Sequence, residues 1–82
     1  MNIPTPYSRL KRLVKILSSP HNELVGPFWI GEHYIDTIEI TYNDDIIFHF
    51  FEADIDKETP AIIVGDKNLL ELVEQLEKIL LN

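Results

Sequence analysis

Fourteen acids, three histidines and three serines are the residues of this 82-residue chain best suited to chemistry. His21, His33 and His49 lack the His-x-x-x-His spacing that sets two imidazoles on one helix face, and without cysteine no thiolate site can form. No metal site is therefore expected. Asp54-Ile55-Asp56-Lys57-Glu58 alternates carboxylates somewhat as a calcium loop does. It lacks the glycine of the turn and the distal bidentate glutamate, so these read as surface acids. Ser8, Ser18 and Ser19 fall on or at the end of the first predicted helix, with no nucleophile elbow around them. Gly26, Gly31 and Gly65 are the only glycines and make no phosphate-binding loop. The chain thus reads as a non-enzyme with no catalytic residue and no cofactor.

What the acids can do is attract cations, and their placement is uneven. Residues 1–20 carry Arg9, Lys11, Arg12 and Lys15 and no acid, a charge of +4. Residues 21–82 carry all the acids and three lysines, a charge of −11, which gives −7 overall. Nine acids and one lysine lie between Glu32 and Glu58. Such a segment repels phosphate and suits a basic partner. Direct nucleic-acid binding through the basic first helix is disfavoured; that helix is expected to neutralise acids within the domain or on a partner.

The elements that must position these residues follow from periodicity. Thr5 is a good N-cap, Pro6 suits the first helical position, and Tyr7, Leu10, Leu13, Val14 and Leu17 recur at helical spacing. This predicts a helix over 6–18, ended by Ser18-Ser19-Pro20. Residues 20–33 read as a loop punctuated by Pro20, Gly26, Pro27 and Gly31, with a short extended piece at Phe28-Trp29-Ile30. Trp29 is either core, like its apolar neighbours, or an exposed anchor for a partner.

Tyr34–Tyr42 alternates as a strand does, and Ile46–Ala53 is β-branched and aromatic, with Asn43-Asp44-Asp45 between them. A three-residue loop at 43–45 pairs Tyr42 with Ile46, Ile40 with Phe48 and Ile38 with Phe50, which makes one face wholly apolar. The other face then carries Thr37, Glu39, Thr41, Ile47, His49 and Phe51, with Glu39 opposite His49. Pro60–Val64 reads as a third strand. Asp66 caps a last helix from Lys67 to about Leu81, with Leu69, Leu72, Val73, Leu76, Ile79 and Leu80 on its apolar face.

The order α-β-β-β-α predicts a single acidic α+β domain over residues 1–82: a three-stranded antiparallel meander with both helices on one face. The N-terminus does not read as a signal peptide, the longest apolar run is the four residues Ala61–Val64, and the lack of cysteine fits a reducing cytoplasm. The expected function is that of a small protein-binding module whose acidic hairpin docks on a basic surface, such as that of a nucleic-acid-binding protein. The partner-binding residues would be Trp29, Glu32, Asp36, Glu39, Asp44, Asp45, His49, Phe51 and Glu52. In size, acidity and lack of catalytic motifs the chain is similar to small phage-borne inhibitors, anti-CRISPR proteins and other nucleic-acid mimics among them, and to bacteriocin immunity proteins. That resemblance implies an inhibitor of a basic protein. A self-associating regulatory subunit is the alternative, through the half-open sheet, the edge at Pro60–Val64 or the last helix.

Overall fold

In the computed structural model, which describes residues 3–51 and 57–81, the first helix forms for the reasons its sequence gives. In α1 (Pro6–Leu17) the Thr5 side chain accepts a hydrogen bond from the Ser8 amide, and the face formed by Leu10, Leu13 and Val14 is buried. Residues 21–51 and 57–60 supply β1 (Glu23–Ile30), β2 (His33–Ile40), β3 (Ile46–Phe50) and β4 (Glu58–Pro60). These make one four-stranded sheet in the order β1-β2-β3-β4, each neighbouring pair antiparallel. The meander is as expected, but it has four strands rather than three.

The additional strand is β1, which runs through Gly26 and Pro27 where a loop was expected. A bulge between Val25 and Phe28 absorbs both residues. Proline is tolerated there because a bulge on an edge strand needs no amide donor. Glycine is required beside it: a Cβ on Gly26 would lie 2.6 Å from the Ile35 carbonyl oxygen. Gly31, at φ +58°, and Glu32 then close the turn into β2, with glycine in the first position as a II′ turn requires.

The β2–β3 register corrects the expected one by two residues. Ile40 pairs with Ile46 and Ile38 with Phe48. Thr41 donates its amide to the Asp45 carbonyl at 2.8 Å, so the connecting loop is Tyr42-Asn43-Asp44, with Asp44 at φ +69°. The loop has the expected length but begins one residue earlier. Its left-handed position falls on Asp44, a residue type that tolerates it. A one-residue displacement of the turn shifts pairing by two and leaves the side chains of Thr37–Ile40 and Ile46–Phe50 on their expected faces, whereas the irregularity at Asp36 turns Ile35 into the core and Tyr34 outward. Ile38, Ile40 and Phe48 are therefore buried as expected, while Tyr42 lies at the tip, exposed.

The expected strand at Pro60–Val64 is also corrected. Proline carries no amide to extend the ladder, β4 stops at Pro60, and Ala61–Val64 forms a short helix, α2. Ala61 is buried, whereas Ile62 and Ile63 are exposed. Gly65, at φ +102°, then redirects the chain into α3 (Asp66–Leu81). Leu69, Leu72, Val73 and Leu76 of α3 join the α1 residues and the inner face of the sheet in one buried cluster. Both α1 and α3 thus pack on the same face. Among the described residues no helix packs on the opposite, outer face.

Candidate protein interface

The residues proposed from sequence to meet a partner divide among three places. Glu32 sits in the β1–β2 turn at one end of the sheet, and Asp44 and Asp45 in the β2–β3 turn at the other. Trp29, Glu39 and His49 lie on the outer face, because their neighbours in the strand, Phe28, Ile30, Ile38, Ile40 and Phe48, point into the core. Asp36 and Phe51 meet in a recess beside them. Glu52 and most of the Asp54–Glu58 loop lie outside the described residues.

Of the turn acids, Asp44 is engaged within the fold. Asp44 receives Lys11 at 3.0 Å and Lys15 at 2.9 Å, both from α1. These hydrogen bonds, Lys15 first and Lys11 second, hold the Asp44 carboxyl below the usual aspartate range, and the bond to Asp44 raises Lys11 above its ordinary value. A third α1 cation, Arg9, pairs with Glu77 of α3 at 2.8 Å. The basic helix therefore spends three of its four cations on acids of its own chain.

The outer-face acids are differently placed. Glu39 sits directly across the ladder from Glu23, and His49 across from Glu58. His49 Nε2 lies 2.9 Å from Glu39 Oε1, and His49 Nδ1 lies 3.9 Å from Glu58 Oε1. The expected neighbourhood of Glu39 and His49 thus exists, although the two are diagonal rather than opposed. Glu23, Glu39 and Glu58 line one broad depression of about 620 Å³ that also touches His21 and Ile47. Among the described residues no lysine or arginine pairs with any of the three. Like charges directly opposed on a ladder destabilise a sheet, so Glu23 facing Glu39 does nothing for the fold.

Aromatic residues lie on the same face, further along the strands toward the β1–β2 turn. Trp29 is 43 % exposed and its ring lies against Tyr34, centroids 3.5 Å apart and tilted by 38°. Trp29 is thus exposed rather than core, while Phe28 and Ile30 on either side are buried. Its backbone is pinned by α3: Gln75 accepts from the Trp29 amide at 3.1 Å and donates to its carbonyl at 2.7 Å. That side chain occupies the free edge of β1, which would otherwise be open to strand addition. Sequence reasoning missed Glu23, Glu58 and Tyr34 as members of this surface. The alternation of Glu23, Val25 and Leu24 was the available signal, masked by the Gly26-Pro27 that follows.

Among the described residues no group of three histidine, aspartate or glutamate side chains is placed to hold a metal ion, and no helix is long and apolar enough to cross a membrane. No protein-family model, no curated protein and no solved structure matches the chain.

Proposed function

We propose that this chain is a non-enzymatic protein-binding module that presents the outer face of its sheet to a basic protein. The observation that carries the reading is the set Glu23, Glu39 and Glu58, which has no lysine or arginine partner among the described residues and lies on the same outer face as the exposed Trp29 and Tyr34, which stand further along the strands toward the β1–β2 turn. Acids that the fold does not neutralise steer a basic partner and fix its orientation, and a half-exposed tryptophan supplies contact area. The acidic hairpin of the sequence reading is retained, with its binding acids moved from the tip to the face. Binding of nucleic acid through α1 is not proposed, because Asp44 and Glu77 already hold three of its cations. Inhibition of a nucleic-acid-binding protein in the cytoplasm is the role that size and charge suit best.

The test is affinity capture from host lysate with two baits, the wild-type chain and the triple variant Glu23→Lys/Glu39→Lys/Glu58→Lys. Recovery of one basic protein by the first bait alone is expected. Equal recovery by both baits would remove the outer face from the function.

A further inference from the structure

Where the sheet is irregular, its outer face has a recess. The Gly26-Pro27 bulge of β1 lies next to an irregularity at Asp36 in β2, between the Ile35–Phe50 and Thr37–His49 pairs. Pro27, Tyr34, Asp36 and Phe51 line a recess of about 290 Å³ there. The Phe51 amide donates to the Tyr34 carbonyl at 3.0 Å, which ties two of the walls together. Bulges commonly accompany binding sites because they re-aim side chains. This recess is at or below the roughly 300 Å³ where sites for drug-sized ligands begin, so it suits one side chain rather than a cofactor.

We infer that this recess receives an arginine side chain of the basic partner, with the guanidinium against the Tyr34 and Phe51 rings and its N–H groups on the Asp36 carboxylate. The inference rests on the reading that the outer face binds a basic protein. The chemistry of the walls selects the guest. Three walls are apolar and the fourth is a carboxylate, so a neutral apolar group would strip water from Asp36 without replacing its hydrogen bonds. An anion meets Asp36 and a chain of net charge −7. A lysine ammonium is compact and strongly hydrated, whereas a guanidinium is flat, weakly hydrated, stacks on aromatic faces and presents two parallel donors to a carboxylate. Phe51, 69 % exposed, and Tyr34, 41 % exposed, are left for such a guest by the fold. Asp36 and Glu39 are three residues apart in β2, about 10 Å along an extended strand. Side chains alternate along an extended segment, so a second cation four residues from the arginine lies on the same side and reaches the glutamates while the arginine fills the recess.

The experiment is an NMR titration of the isotope-labelled chain with the capped peptide Gly-Arg-Gly-Ser-Gly-Lys-Gly and with its twin in which citrulline replaces arginine. The arginine peptide is expected to bind about tenfold more tightly than the citrulline peptide, moving the Tyr34, Asp36 and Phe51 resonances. Asp36→Asn, an exposed change that leaves the core untouched, should abolish the difference between the two peptides, and Tyr34→Ala should reduce it. Equal binding of both peptides by the wild-type chain overturns the inference, as does an Asp36→Asn variant that keeps the preference. Either failure leaves the wider reading to its own test: a partner lost by the Glu23→Lys/Glu39→Lys/Glu58→Lys bait but kept by Asp36→Asn identifies the outer face as the interface and dismisses the arginine in the recess.

Discussion

The tip of the β2–β3 hairpin and the outer face of the sheet are both acidic, yet they sit in different electrostatic surroundings. At the tip, Asp44 is held by two lysines of α1, and its charge is used to dock helix against turn. On the face, Glu39 and Glu58 share His49, and Glu23 stands opposite Glu39. Acid count alone ranks the two regions together, whereas the position of α1 separates them. A carboxylate neutralised by its own fold contributes to that fold, and one left beside another carboxylate remains available to something outside it.

The comparison can be broken in four places. Reversing Glu23, Glu39 and Glu58 to lysine should weaken binding of the captured partner by about a hundredfold or more and change the unfolding midpoint little, because positions 23 and 39 would again oppose like charges, as measured by calorimetric titration and denaturant melts. Trp29→Ala should weaken the same binding by about tenfold; an unchanged affinity would confine the interface to its charges. Gln75→Leu removes both hydrogen bonds to the Trp29 backbone and should lower stability by about 1–2 kcal/mol. It also frees the β1 edge, so light scattering should show self-association that the wild-type chain lacks.

Asp44→Asn should give the smallest effect, a slight loss of stability with partner affinity nearly intact. Its pH dependence carries the sign. The folded chain holds the Asp44 carboxyl below its ordinary value. The stabilisation is therefore present above the ordinary aspartate range and is lost as the pH falls through the depressed value. Denaturant melts of the wild type and Asp44→Asn should differ near neutral pH and converge in acid. A difference that grows on acidification would contradict the ion pairs at the tip.

Local signals made some of this legible in the sequence. Thr5-Pro6 and the apolar steps of α1 and α3 are local, and both helices formed close to where their spacing put them. The inner face of the hairpin was readable because alternation fixes parity. Its register was not, because Asp44 and Asp45 are equally good turn residues and only one occupies the left-handed position. β1 was hidden by Gly26-Pro27, a breaker pair that a bulge accommodates. In Pro60–Val64 the β-branched run pointed to a strand, but a proline that cannot extend the ladder won. The candidate site inherited these limits. The proximity of Glu39 and His49 survived a two-residue shift because it depends on face more than on register. Glu23 and Glu58 depend on β1 and β4 pairing, and the loss of Asp44 to Lys11 and Lys15 depends on how α1 docks.

The most direct measurement maps the partner's footprint on the isotope-labelled chain by NMR. The expected result is that amides of Glu23, Glu39, Ile47 and His49 and the Trp29 indole shift or broaden, while Asn43–Asp45 and α1 stay in place. A footprint centred on the hairpin tip and α1, with the outer face unmoved, would contradict the division between the two acidic regions and the function proposed from it.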